Sequence, residues 1–236
     1  MNKVKVGFFS FTEITDPNEH RSYNEWHQLD HMPEQFPLDG VAWGQRWVST
    51  PACRAARLAS DELLDPIHYL TLYLMTEPVE RTLDEFMALG AQLHKVGRFH
   101  QSRRAHMSGP LRFEKAWAAK RVLVSPEAVP YRPNRGVYVT VEREPDARSD
   151  EGHAAWLEAP GVAGIWTFAT SAPLPNQQWS TEGARITVAW LDEDPLECAT
   201  TIAPLVGASR ADVLFAGPFE TITPWHWDWF EASSKT

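Results

Sequence analysis

The alternation of apolar and polar residues along the chain predicts two successive rounds of strands and helices. Four early segments are rich in β-branched and aromatic residues and predict strands: 4–14, 41–49, 67–76 and 109–117. Two segments space their apolar residues as helices do: 19–36 and 79–98. The same order then returns, with strands over 136–144, 161–170, 184–192 and 213–223 and helices over 149–159 and 195–206.

Short local matches indicate that the second round is a diverged copy of the first. LDGVAWGQRW parallels APGVAGIWTF, HYLTLYLMTEP parallels ARITVAWLDEDP, and GPLRFEKAW parallels GPFETITPW, in the same order along the chain. A period this long favours duplicated domains over a solenoid. The predicted units are 1–118 and 136–236, joined by a proline-containing linker over 119–135.

Strand 67–76 predicts how the two units pack. Leucines occupy one face and Tyr69, Thr71 and Tyr73 the other, so both faces are largely apolar and need cover. Helices cover one face, and the sheet of the other unit covers the second. The predicted fold class is α+β, with two β-α-β-β-α-β units packed through antiparallel sheets. The space between the sheets is then the expected ligand cavity.

Composition and charge exclude several function classes. The net charge is −9 without a basic stripe, which argues against nucleic-acid binding. The N-terminus does not read as a signal peptide, no apolar run reaches the roughly 18 residues of a membrane span, and no glycine-rich nucleotide loop is present. Cys53 and Cys198 lack metal-type spacing, so a reduced cytoplasmic protein is expected. The 11 tryptophans suit either a cavity for flat ligands or ordinary cores.

The first predicted helix carries the candidate chemistry. A phenol, two imidazoles and two carboxylates fall on an arc of roughly 100°: Tyr23, His27, Asp30, His31 and Glu34. The apolar residues lie off this arc and are expected to pack: Trp26, Leu29 and Met32. Such a face can remove a proton next to a carbonyl, or it can be a solvated polar face. A metal held by the two histidines is a third interpretation, but the HExxH signature is absent.

The segment EWHQLDHMPEQFPLDGVAWGQRW resembles the helix-to-strand signature of the EthD-like branch of the dimeric α+β-barrel superfamily. The matching residues are Trp26, His27, His31, Pro33, Glu34, Gly40, Val41 and Arg46, and Tyr69 fits the family's third strand. The resemblance implies ferredoxin-like units and cofactor-poor chemistry on hydrophobic, often aromatic compounds. Only His153 and Trp156 remain of this pattern in the second unit, so any such site is expected in the first.

A basic segment, HKVGRFHQSRRAH over 94–106, allows two interpretations. It can be a lid that grips a carboxylate substrate, or a solvated helix end and loop.

These features favour a cofactor-independent lyase, dehydratase or isomerase that acts on a hydrophobic aromatic or cyclic small molecule. His31 is expected to be the general base or acid, His27 its partner and Tyr23 a hydrogen-bonding group. The expected substrate-binding residues are Tyr69, Trp43, Trp47, Tyr73, Glu34 and Asp30, with Asp30 or Glu34 orienting a histidine. No cofactor and no metal are expected, and a homodimer is one assembly considered. The alternatives are a non-catalytic binding protein and a cofactor-free or haem monooxygenase.

Overall fold

The computed structural model describes residues 2–143, 152–170, 179–206 and 213–231. The first half contains β1 (Val4–Ile14), α1 (His20–Trp26), β2 (Val41–Val48), α2 (Pro51–Ala55), β3 (Ala59–Ser60), β4 (Tyr69–Thr76), α3 (Val79–Lys95) and β5 (Arg103–Ala118). The second contains β6 (Gly136–Arg143), α4 (His153–Glu158), β7 (Val162–Ala169), β8 (Ala184–Leu191), α5 (Pro195–Val206) and β9 (Val213–Thr221). The predicted strands and helices thus recur in order, but β5 begins six residues before the predicted strand 109–117 and α1 covers only part of the predicted helix 19–36. Residue 144 of the strand predicted over 136–144 and residues 149–151 of the helix predicted over 149–159 lie outside the described residues.

Eight strands form one closed antiparallel barrel. Their order is β2-β4-β1-β5-β7-β8-β6-β9, and β9 pairs back onto β2. Each half therefore contributes four strands in the same relative order, which is that of a ferredoxin-like unit. The halves meet at β5–β7, where Arg112 pairs with Ala169, and at β2–β9, where Trp47 pairs with Thr221. The fold is the predicted α+β barrel, and it closes within one chain.

Side chains fill the barrel interior, so the predicted ligand cavity between the two sheets is wrong. The leucines of β4 point inward as expected and meet the inward residues of the other half, among them Val139, Trp166 and Trp190. Trp47 is fully buried in this cluster, and Trp43 packs against it. Aromatic and branched side chains from both sheets fill this space, which is therefore the hydrophobic core of the protein.

The helices cover the outside of the barrel. On the first half, Phe8 and Tyr73 of the sheet pack against Val79, Leu83 and Phe86 of α3. On the second half, α4 and α5 supply the covering residues, including Trp156 and Ile202. No helix within the described ranges is long and apolar enough to cross a membrane.

The helix predicted over 19–36 is irregular. A π-helical turn, His27–His31, follows α1, and the Met32 amide donates to the His27 carbonyl at 2.9 Å. The wider turn rotates the residues that follow, because a π turn holds more residues than an α turn. Leu29, expected to pack, is 50% exposed, whereas Met32 is buried as expected.

Candidate functional site

A cavity of about 290 Å³ lies between the first half's sheet and its helices. Residues of β1 and β4 form its floor: Phe8, Ser10, Thr71 and Tyr73. The π turn and α3 form its roof: His27, His31, Phe86, Met87, Gly90 and Ala91. Four further residues complete the wall: Gln35, Phe99, Arg103 and Ser108. The lining is mostly apolar with a few polar groups, as in small-molecule sites.

His27 and His31 are the first and last residues of the π turn, and both line the cavity. Their ring centroids lie 5.2 Å apart, close to perpendicular. The His31 ring also stacks on Trp26 at 4.7 Å. Residues four positions apart share one side of a regular α-helix as well, so the π turn is compatible with this pairing without being its cause. Such π turns are frequent at functional sites.

Tyr23 holds the deeper of the two histidines. The Nδ1 atom of His27 and the Tyr23 hydroxyl form a hydrogen bond of 3.0 Å, and both residues are buried. The His27 Nε2 atom is buried and has no partner within the described chain. When Nδ1 donates to the tyrosine oxygen, Nε2 carries the lone pair and can accept a proton.

Both imidazoles are neutral at pH 7. Burial lowers the pKa of His27 well below its usual range, and the positive charge of Arg46 adds to this effect. Burial also lowers the pKa of His31 to about 4, with Arg103 contributing and Asp30 opposing. A neutral imidazole has the free lone pair that a base needs, and the lowered pKa makes each of these histidines a weaker base than an exposed imidazole.

Five residues that line the cavity carry a buried polar atom without a partner in the described chain. They are His27 (Nε2), His31 (Nδ1), Gln35 (Oε1), Thr71 (Oγ1) and Tyr73 (hydroxyl). Buried polar atoms are nearly always hydrogen-bonded, because leaving one unpaired costs roughly 1–3 kcal/mol. Their concentration around one cavity indicates a site whose partners are ordered water or a bound molecule.

Gly90 also points to a site that accommodates a ligand. It lies inside α3 and lines the cavity, and a Cβ added there would meet no atom within 4 Å. Glycine in a helix interior costs roughly 0.5–1 kcal/mol relative to alanine. No neighbouring atom requires its small size, so its effect is to leave room in the cavity.

The carboxylates predicted to orient a histidine instead bind an arginine at the surface. Arg98 contacts Asp30 and Glu34 at 2.7 Å each, and all three side chains are more than one-third exposed. Neither carboxylate lines the cavity. The sequence interpretation failed here because it assumed a regular α-helix and did not anticipate Arg98.

The predicted aromatic residues divide between three places. Tyr73 lines the cavity. Tyr69 lies beside it, where its hydroxyl contacts His20 Nδ1 and accepts from Asn24, both at 2.9 Å. Trp43 and Trp47 belong to the barrel interior and do not reach the cavity, since they lie on the inward face of β2.

Several cavity residues were missed or undervalued at the level of sequence. Phe99 and Arg103 lie in the basic segment whose lid interpretation placed them near a ligand. Phe8 and Ser10 are alternate residues of β1, and their outward direction was readable from the strand pattern. Gly90 gives the remaining signal, as an isolated glycine within a helical pattern. No three described His, Cys, Asp or Glu side chains converge as a metal site.

The second half has a smaller cavity in the corresponding position. It measures about 40 Å³ and lies between β6, β8 and the helices α4 and α5. Thr140 and Thr187, which line it, are register partners just as Ser10 and Thr71 are in the first half. The two halves therefore share an architecture but not a usable volume.

Comparison with known proteins shows similarity in fold only. No family model matches the chain, and no curated protein does. A solved structure provisionally described as a chlorite dismutase aligns with a TM-score of 0.53 and 9% identity, covering 96% of this chain and 98% of its own. Proteins provisionally described as monooxygenases, from Lactobacillus acidophilus and Fusobacterium nucleatum, align with TM-scores of 0.42 and 0.49 and 8% identity each. They cover 92% and 94% of this chain, and 93% and 94% of their own. At 9% identity, the alignment with the structure described as a chlorite dismutase shows a similar fold only.

Proposed function

We propose that the protein is a cofactor-independent enzyme that uses histidine acid–base chemistry on a hydrophobic small molecule bound outside the barrel. The observation that carries the proposal is the buried, unpartnered Nε2 atom of His27 in an apolar cavity, with Nδ1 anchored by Tyr23. An oriented, neutral imidazole beside a space for a ligand is what a general base requires.

The proposed step is proton abstraction next to a carbonyl. His27 Nε2 takes the proton, and the electron pair of the broken C–H bond moves onto the carbonyl oxygen to give an enolate. The hydroxyl of Tyr73 supplies a hydrogen bond to that oxygen. Return of the proton from His27 to another carbon of a conjugated enolate isomerises the substrate. In a dehydration the enolate electrons instead re-form the carbonyl and a C=C bond, and the departing β-hydroxyl group takes the proton from His27 and leaves as water.

His31 is proposed as the second proton carrier. The sequence alone favoured it as the base. We favour His27 because Tyr23 orients its ring, whereas the Nδ1 atom of His31 has no partner among the described residues. His31 is less buried, which suits exchange of protons with solvent.

Cofactor-free oxygenation is the alternative, because the same enolate can transfer an electron to O₂. It shares the first step and differs in consuming oxygen. An oxygen electrode separates the two reactions: lyase or isomerase turnover continues under argon, whereas oxygenation stops. A visible absorption spectrum of the purified protein tests a haem enzyme on this scaffold.

Hydrogen–deuterium exchange of 2-tetralone tests the proposed step directly. We expect the wild-type protein to accelerate loss of its α-proton NMR signals in D₂O, and His27→Gln to lose on the order of 100-fold of that acceleration. His94→Gln, at the exposed end of α3, is the matched control and should retain it. A wild-type protein without acceleration, or a folded His27→Gln protein at the wild-type rate, contradicts the proposal. Binding without any exchange supports a non-catalytic binding protein.

The two halves are further proposed to descend from one duplicated unit of the EthD-like type, with units over 1–118 and 136–236. Two glycines support this. A Cβ on Gly40 would lie 1.8 Å from Thr82 of α3, and one on Gly161 would lie 2.4 Å from Cys198 of α5. Gly40 directly precedes β2 and Gly161 directly precedes β7, the second strand of each half's sheet. Each glycine also abuts the longest helix of its half, which is α3 or α5. On this proposal the copies kept their packing and only the first kept an open cavity.

A further inference from the structure

The charged groups around the cavity are unbalanced. Arg103 lines it, and its guanidinium lies over the Phe99 ring at 5.4 Å. No Asp or Glu is among the described lining residues. The nearby Asp30 and Glu34 already bind Arg98 at the surface.

A second guanidinium, that of Arg46, lies over the ring of Tyr23, the residue that holds His27. Arg46 is only 2% exposed, and among the described residues its guanidinium makes one hydrogen bond, from Nη2 to the Asn24 side-chain oxygen at 2.9 Å. Its Nε and Nη1 atoms are buried without a partner in the described chain. The rings of Tyr23 and Tyr69 flank it, with centroids at 5.1 and 5.6 Å.

Strand register places the backbone of Arg46 next to the cavity floor, although Arg46 itself is not among the lining residues. Arg46 pairs with Thr71 across β2 and β4, and Thr71 is a floor residue with an unpartnered hydroxyl. Arg46 and Arg103 both act electrostatically on His27 and His31, so the two positive charges lie within range of the same imidazoles. Arginine remains charged even when buried, and a buried charge without a counter-ion is costly.

We propose that the cavity binds an organic anion, an apolar ring system carrying a carboxylate that Arg103 contacts directly and that the charge of the buried Arg46, behind the lining, also attracts. The apolar body would contact Phe8, Phe86 and Met87. The carboxylate would supply the negative charge that is missing from the described lining residues, and the planar fork of arginine matches its two oxygens. This inference rests on the proposed function only in using the same cavity.

Binding of two isosteric probes tests the charge preference. Isothermal titration calorimetry at low salt compares 2-naphthoate with the uncharged 2-naphthamide. We expect naphthoate to bind the wild-type protein at least tenfold more tightly, which corresponds to about 1.4 kcal/mol. Equal affinities, tighter naphthamide binding, or no binding of naphthoate at 1 mM would overturn the proposal.

Variants assign the preference to the cavity. Arg103→Gln should weaken naphthoate about tenfold and leave naphthamide unchanged. The control, Arg104→Gln, alters the neighbouring exposed arginine, which pairs with Glu13 and does not line the cavity, and should change neither probe. Gly90→Leu, which fills the cavity from α3, should weaken both. If Arg104→Gln reproduces the effect of Arg103→Gln, or if Gly90→Leu leaves naphthoate binding intact, the anion binds elsewhere and the inference fails.

The outcome is separable from that of the proposed reaction. His27→Gln should retain the preference for naphthoate while losing tetralone exchange. Exchange that depends on His27 without any anion preference would remove this inference and leave the acid–base function standing.

Discussion

Acidification should destabilise the protein through histidines that are buried in the neutral form, and His31 allows the effect to be measured. Its pKa is about 4 in the folded chain, against 6.5 for an exposed imidazole, chiefly because burial disfavours the charged form. Between these values the unfolded chain binds more protons than the folded one. The stability contributed by neutral His31 is therefore fully present above pH 6.5 and is lost as the pH falls towards 4.

The expected magnitude follows from the two pKa values. At pH 4.5 the unfolded imidazole is almost fully protonated and the folded one only about one-quarter protonated, which amounts to about 2.5 kcal/mol. Urea unfolding followed by tryptophan fluorescence at pH 7.5 and 4.5 gives the free-energy difference between the two conditions. In His31→Gln this difference should shrink by about 2.5 kcal/mol, whatever the variant's stability at pH 7.5.

His94→Gln serves as the control, because it removes a histidine from the exposed end of α3. Its pH dependence should match that of the wild-type protein. The reasoning is refuted if His31→Gln shows the wild-type difference to within about 0.5 kcal/mol. His20 and His68 would add to the wild-type loss in the same direction, since burial lowers their pKa values to about 4 and about 3.

Three further substitutions test the site and its support. Tyr23→Phe should keep the fold but reduce tetralone exchange at least tenfold, because His27 Nδ1 loses its partner; an unchanged rate argues against orientation by Tyr23. Gly90→Ala should raise the unfolding free energy by roughly 0.5–1 kcal/mol, measured by urea, and a loss of stability would show that the site needs glycine. Gly40→Ala should cost roughly 1–3 kcal/mol because its Cβ collides with Thr82, and a neutral result would mean that α3 can shift.

The strand pattern predicted the barrel because both faces of the sheet carry apolar side chains, and each face must be covered by other elements. Leu70 and Tyr69 point to opposite faces of β4, and both are buried as their apolar character requires. The same symmetry explains why the cavity was misplaced. When both faces are apolar, alternation alone does not tell which one is core and which one leaves space for a ligand.

The histidine pair was found from sequence, but its surroundings were not. Tyr23, His27 and His31 were grouped by helical spacing, and the structure places them together even though His27–His31 form a π turn that the residue pattern did not predict. Arg98 binds Glu34, which lies 64 residues earlier in the sequence. Helical spacing cannot reveal a contact over such a separation. Arg103 begins β5, but the polar run around it lacks the alternation by which strands are recognised.

Because the cavity lies outside the barrel, the residues that form the barrel core differ from those that contact a ligand. The described lining residues all lie between Phe8 and Ser108, whereas the leucines of β4 face away from them into the shared interior. Replacing inward residues of the second half should therefore alter folding without touching the ligand. A new substrate preference can instead arise by changing α3 and the π turn alone. The barrel serves as a fixed support, and the helix and turn on its outer surface are where substitutions can change ligand binding.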